Sequence, residues 1–156
     1  MKDIESVWDY PRPPLLVPFS GHIRIIHKDS IIVDSNQVFR ILETSHPPTY
    51  YFPLLDISPE FLAHNQYTTY CEFKGQATYF DLIVNEERIE SAGWYYGNPN
   101  KHYAALKGYA AVYASKLDAC YVNDEKVKAQ EGDFYGGWIT SHIKGPFKGG
   151  KGTYGW

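Results

Sequence analysis

Residues 40–52, RILETSHPPTYYF, place Arg40, Glu43, Ser45, His46, Tyr50 and Tyr51 beside a Pro-Pro bend. Histidine titrates near neutrality and a carboxylate can orient its ring, so Glu43 and His46 form a candidate proton-transfer pair. Tyr50 and Tyr51 offer stacking surfaces with hydroxyl handles. The plainer reading is a structured loop, with His46 satisfied by the backbone and the tyrosines in the core. A second stretch, TYCEFKGQA over 69–77, sets Cys71 close to Lys74. A nearby cation lowers a thiol pKa and makes the sulfur a nucleophile. The alternative is a small hydrophobe in a strand.

The third stretch is the end of the chain, FYGGWITSHIKGPFKGGKGTYGW, which holds seven of the 13 glycines and three lysines, Lys144, Lys148 and Lys151. Glycines with interspersed lysines can build a backbone nest for an anion. Gly145, Gly150 and Lys151 match the first part of a phosphate-binding loop. The next residue is Gly152 rather than Ser or Thr, and too few residues follow to form a helix, so that motif is rejected. The other reading is a terminal segment whose Phe147, Tyr154 and Trp156 pack back on the body. No G-x-S-x-G, H-E-x-x-H or CxxC occurs, so serine-hydrolase chemistry and Cys-rich zinc sites have no support. No cofactor and no metal are expected.

Short strands must position these segments. The aromatic content is 17%, from 14 Tyr, 8 Phe and 4 Trp, and ten Pro and 13 Gly supply turns. Residues 7–18 read as an extended, Pro-punctuated arm. Residues 22–27 and 30–34 read as a hairpin about Lys28-Asp29, and 38–43 as a strand with Phe39 and Ile41 on one face and Arg40 on the other. A short strand is expected over 49–52. Ser58-Pro59-Glu60 reads as a capped helix start, with the helix running to about His64. Residues 67–73 and 76–84 alternate around Lys74-Gly75, with Tyr67, Thr69, Cys71 and Phe73 sharing a face. Strands follow at 88–96, 109–114, 118–122 and 126–129, with a loop or helical turn over 98–106. Roughly nine or ten short strands with turn signals predict one mainly β domain over 1–156.

The totals agree with that. A chain of 156 residues with 44% hydrophobic and 21% charged residues can bury a core. The net charge of −3 argues against a general nucleic-acid binder. Residues 1–9 carry no signal-peptide pattern and no run approaches a membrane span, so a cytoplasmic protein with reduced Cys71 and Cys120 is expected.

Taken in order, VWDYPRPP, LETSHPPTYYFP, the Cys71–Gly75 hairpin, GWYY, GYAAVYASKLD and GGWITSHIKGPFKGGKGTYGW resemble the family called domain of unknown function 427. The family hairpin often reads Cys-Pro-aromatic-Lys-Gly; here Glu72 stands in the proline position. The resemblance implies a compact antiparallel tent-like or barrel-like sheet with one or two short helices. It further implies a pocket lined by Arg40, Glu43, His46, Tyr50, Tyr51, Cys71, Lys74 and Trp138. The family carries a nucleotidyltransferase label, but no Gly-Ser followed by Asp-x-Asp supports it here.

The leading expectation is a domain that binds a small polar or anionic molecule in an aromatic-lined pocket. Arg40 and Lys74 would hold the anion, Tyr50 and Tyr51 would stack, and Glu43 with His46 would orient or exchange protons. Two alternatives stay open. One is an enzyme using Glu43–His46 or Cys71–His46. The other is a protein-interaction module or homodimer-forming domain.

Overall fold

A computed structural model describes residues 4–132, 135–153 and 155–156. In chain order the strands are β1 (Glu5–Ser6), β2 (Leu15–Phe19), β3 (Ile23–His27), β4 (Ser30–Ser35), β5 (Val38–Leu42), β6 (Thr49–Pro53), β7 (Leu62–Cys71), β8 (Gly75–Val84), β9 (Glu87–Tyr95), β10 (Tyr109–Val112), β11 (Ala119–Val122), β12 (Glu125–Lys126), β13 (Lys128–Ala129), β14 (Trp138–Ile139) and β15 (Ile143–Lys144). The helical pieces are short 3-10 turns. The protein is therefore mainly β, as its aromatic and turn-rich sequence predicts.

Seven strands form an open sheet in the order β2-β5-β6-β10-β9-β8-β7, and four form a second sheet, β12-β11-β3-β4. Their pairings are antiparallel. Three tight turns link neighbouring strands through paired residues at positive φ: Lys28-Asp29, Asn85-Glu86 and Asn123-Asp124. Such turns match the right-handed twist of the strands they join.

Because side chains alternate along a strand, the large sheet has two different faces. One face packs against the small sheet: Tyr50, Phe52, Phe80, Leu82, Ala92, Ala110 and Val112 meet Ile23, Ile25, Ile32 and Val33. The other buries Ile41, Tyr51, Ala77, Tyr79, Trp94, Tyr96, Ala111 and Tyr113, together with Tyr103 and Leu106 of the 3-10 segment Lys101–Leu106.

Two local expectations are corrected. The helix expected from Ser58 is only a 3-10 turn, Pro59–Phe61, and Ser58 makes no side-chain cap. Residues 62–64 instead pair with Phe80–Leu82 of β8, because a partner strand outweighs a weak helical signal. The arm over 7–18 is also not uniformly extended. Val7–Asp9 forms a 3-10 turn capped by the Ser6 side chain, before β2 pairs along β5 as an edge strand. At the other terminus, Trp156 meets Trp8 edge-on at 5.2 Å, and Phe147 packs against Val7, Tyr10, Leu42 and Ile143. Tyr154 lies outside the described residues. Both cysteines are free, Cys120 buried and Cys71 partly exposed.

Candidate functional site

The second face of the large sheet does not close on itself. Over it lies a cavity of about 340 Å³, lined by Tyr51, Tyr79, Trp94, Tyr96 and Tyr113 from the sheet, and by Thr69, Cys71 and Lys74 from the β7–β8 hairpin. The rim is completed by Glu43, His46 and Pro47 of the β5–β6 loop, and by Gln130, Tyr135, Gly136 and Lys148. The register accounts for this grouping: Thr69 pairs with Ala77, Tyr79 with Trp94, and Trp94 with Ala111, so these positions share one face.

The same alternation separates the residues predicted from sequence. Glu43, His46, Tyr51, Cys71 and Lys74 line the cavity. Arg40, Tyr50 and Trp138 do not: Arg40 pairs with Tyr50 across β5 and β6, and Tyr50 stacks on Trp138 with ring centroids 5.4 Å apart on the core side. Arg40 is held by both carboxylate oxygens of Glu5, its NH1 and NH2 donating at 3.1 and 3.2 Å. Glu5 also accepts from the Tyr10 hydroxyl at 2.6 Å. Burial works against the Glu5 carboxylate, but the hydrogen bonds from Arg40 and Tyr10 hold it below its ordinary value.

The loop carrying Glu43 and His46 is clamped from both sides. Thr44 N donates to Pro11 O at 3.2 Å and Ser45 N to Val7 O at 3.0 Å, both on the N-terminal arm. Lys148 N donates to Ser45 O at 2.8 Å from the Gly-rich segment. Ser45 sits at φ +70°, which a non-glycine residue adopts only when its surroundings hold it there. The turn brings His46 Nε2 to 3.9 Å from Glu43 Oε2. Arg12 Nε lies 3.5 Å from the same oxygen.

Gln130 fixes the other side of His46. Its Nε2 donates to His46 Nδ1 at 3.1 Å and to Lys148 O at 2.7 Å, while its Oε1 accepts from Gly137 N at 3.1 Å. Gly137 permits the close approach this needs, since a Cβ there would stand 2.6 Å from Gln130 Oε1. Burial pushes the His46 imidazole below its ordinary value, Lys148, Arg12 and Lys74 push the same way, and Glu43 opposes them. The neutral form of the His46 ring is thereby favoured.

Two cations face the aromatic lining. Burial alone would lower the Lys74 ammonium, yet Tyr51, Cys71 and Glu43 hold it above the ordinary lysine value. Lys148 Nζ lies over the Tyr135 ring, 5.7 Å from its centroid. Among the described residues no carboxylate forms an ion pair with either lysine. Burial raises the phenols of Tyr51, Tyr96 and Tyr113, so these hydroxyls stay protonated. Two hydrogen bonds run within this wall: Trp94 Nε1 donates to Tyr51 Oη at 3.3 Å, and Tyr79 and Tyr113 share a hydrogen bond of 3.3 Å.

Sequence reasoning missed Gln130, Tyr79, Trp94, Tyr96 and Tyr113 as site residues. For the four aromatics the signal was available, because period-2 alternation along β8, β9 and β10, carried one residue past the ends of β9 and β10 to Tyr96 and Tyr113, puts them on the face shared by Thr69 and Cys71. Nothing local in the sequence marks Gln130, whose partners lie 84, 18 and 7 positions away.

Among the described residues no cluster of His, Cys, Asp and Glu could hold a metal ion, and no helix is long and apolar enough to cross a membrane. Among curated proteins, none matches the chain. A family model described as Domain of unknown function (DUF427) matches residues 15–123, from β2 through the turn after β11, and leaves the Gly-rich segment beyond its end. The motifs in that span and the match over most of its length make this chain a member of that family.

Proposed function

We propose that this protein binds a small organic anion in the aromatic cavity, with Lys74 and Lys148 holding the anionic group and the ring-lined wall taking the apolar body. The observation that carries this reading is the pair of lysines facing a largely aromatic cavity, neither of them within ion-pair distance of a carboxylate among the described residues. Despite its burial Lys74 stays charged, since Tyr51, Cys71 and Glu43 hold its ammonium above the ordinary value, and a ligand anion would add the direct ion pair that Glu43 does not make. The volume, about 340 Å³, lies at the lower end of the range for small-molecule sites.

Calorimetric titration with benzoate tests the reading. Binding should weaken at least about tenfold in Lys74→Met, the loss expected for one charge-assisted contact. Equal affinity for benzoate and benzyl alcohol in the natural chain would overturn it.

A second reading is a proton-transfer enzyme acting through the same pocket. What supports it is the approach of Glu43 to His46 and the presence of Cys71 in the same lining. In that reading Glu43 is the base, because the neutral ring of His46 keeps its Nδ1 lone pair engaged by Gln130.

A further inference from the structure

The orientation of the Gln130 amide is set by partners that leave no choice. A backbone N–H can only donate, so the atom facing Gly137 N is the oxygen. A backbone carbonyl can only accept, so the atom facing Lys148 O is the nitrogen. That nitrogen also faces His46 Nδ1, which must then accept. With Nδ1 a lone pair and the ring neutral, the single imidazole proton resides on Nε2.

Nε2 stands 3.9 Å from Glu43 Oε2, beyond hydrogen-bond length. The cavity rim thus presents a fixed donor beside a carboxylate oxygen that Arg12 Nε approaches only to 3.5 Å, and donor and acceptor are not bonded to each other. The group that satisfies both carries a C=O next to an N–H on one edge, as the cis-amide of a ring does. The aromatic walls favour a flat body, and the two lysines favour an acidic substituent.

We propose, resting on the anion-binding reading of the same cavity, that its ligand is a flat cyclic lactam or imide bearing an acidic group. The ring carbonyl accepts from His46 Nε2–H, the ring N–H donates to Glu43, and Gln130 is the positioning residue that sets the His46 tautomer.

Two measurements on the full chain test this. The first is the imidazole ¹⁵N spectrum of His46 without ligand, where Nδ1 should be pyridine-like and Nε2 pyrrole-like. The reverse pattern, or a doubly protonated ring at pH 7, overturns the proposal. The second is calorimetry with uracil-6-carboxylate, which has both the lactam edge and the acid, against benzoate, which has only the acid. Uracil-6-carboxylate should bind at least about tenfold tighter. In Gln130→Met that preference should shrink toward unity, the affinity for uracil-6-carboxylate falling by a larger factor than that for benzoate. Equal binding of the two probes in the natural chain overturns the lactam assignment and leaves anion binding standing. If neither probe binds, both readings fall. Should Gln130→Met not fold, the spectrum and the probe comparison on the natural chain still decide.

Discussion

The Tyr50 ring stacks on Trp138 at 5.4 Å, 27° from parallel, while the next residue, Tyr51, points through the other side of the sheet and meets Trp94 edge-on. The two tyrosines should therefore answer to different measurements. Trp138→Ala removes a fully buried indole and should cost about 4 kcal/mol of unfolding free energy in urea titration. Tyr50→Phe should be neutral or slightly stabilising, because the Tyr50 hydroxyl is buried without a hydrogen-bond partner. A marked loss of stability in Tyr50→Phe would contradict that placement.

Arg40 should prove structural. Its guanidinium ties β5 to the N-terminal arm through Glu5. Arg40→Ala should lower the melting temperature and speed amide exchange over residues 5–10, while benzoate affinity stays within about twofold, since a group outside the cavity exerts only a screened long-range effect. A tenfold loss of affinity would return Arg40 to the binding site.

Asp81 lies buried at the register shift in β8, accepting from Asn65 Nδ2 at 2.6 Å, Arg88 Nε at 2.7 Å and Ser91 N at 2.8 Å. Burial opposes its ionised form, but these donors outweigh it and hold the carboxyl below its ordinary value. A depressed folded pKa gives stability that is fully present above the unfolded value near ~3.9 and is lost as pH falls through the folded one. Asp81→Asn should cost about 2 kcal/mol at pH 7. The gap between variant and natural chain should narrow steadily in urea titrations below about pH 4. A gap that stays constant with pH would remove the electrostatic account.

The two thiols should separate cleanly. Cys120 is buried between the sheets and its thiol is pushed up to about 12 by that burial. Cys71 lines the cavity and is partly exposed. Iodoacetamide should label Cys71 alone in the native chain, and both only after denaturation. Bound benzoate should slow the labelling of Cys71; unchanged kinetics under saturation would place the anion elsewhere.

Much of the architecture was legible because period 2 is a strong signal. Phe39 and Ile41 fall on the face opposite Arg40, and the three two-residue turns form where Lys28-Asp29, Asn85-Glu86 and Asn123-Asp124 interrupt the strands. The candidate site was legible only in its local pieces, Glu43–His46 and Cys71–Lys74. Grouping Tyr50 with Tyr51, and Arg40 with Lys74, ignored the rule that adjacent strand residues diverge. Gln130 and Lys148 reach His46 and the cavity rim through tertiary packing of short end-of-chain strands, which no local pattern encodes.

The open large sheet has one more consequence. Its odd and even positions serve separate tasks: Phe52, Phe80 and Ala110 secure the fold, while Tyr51, Tyr79 and Ala111 border the cavity side. A lineage can thus rewrite one wall of the chamber, ring by ring, without disturbing the mortar on its other side. Divergence in ligand preference among related chains would then concentrate at every second residue of β6, β8 and β9.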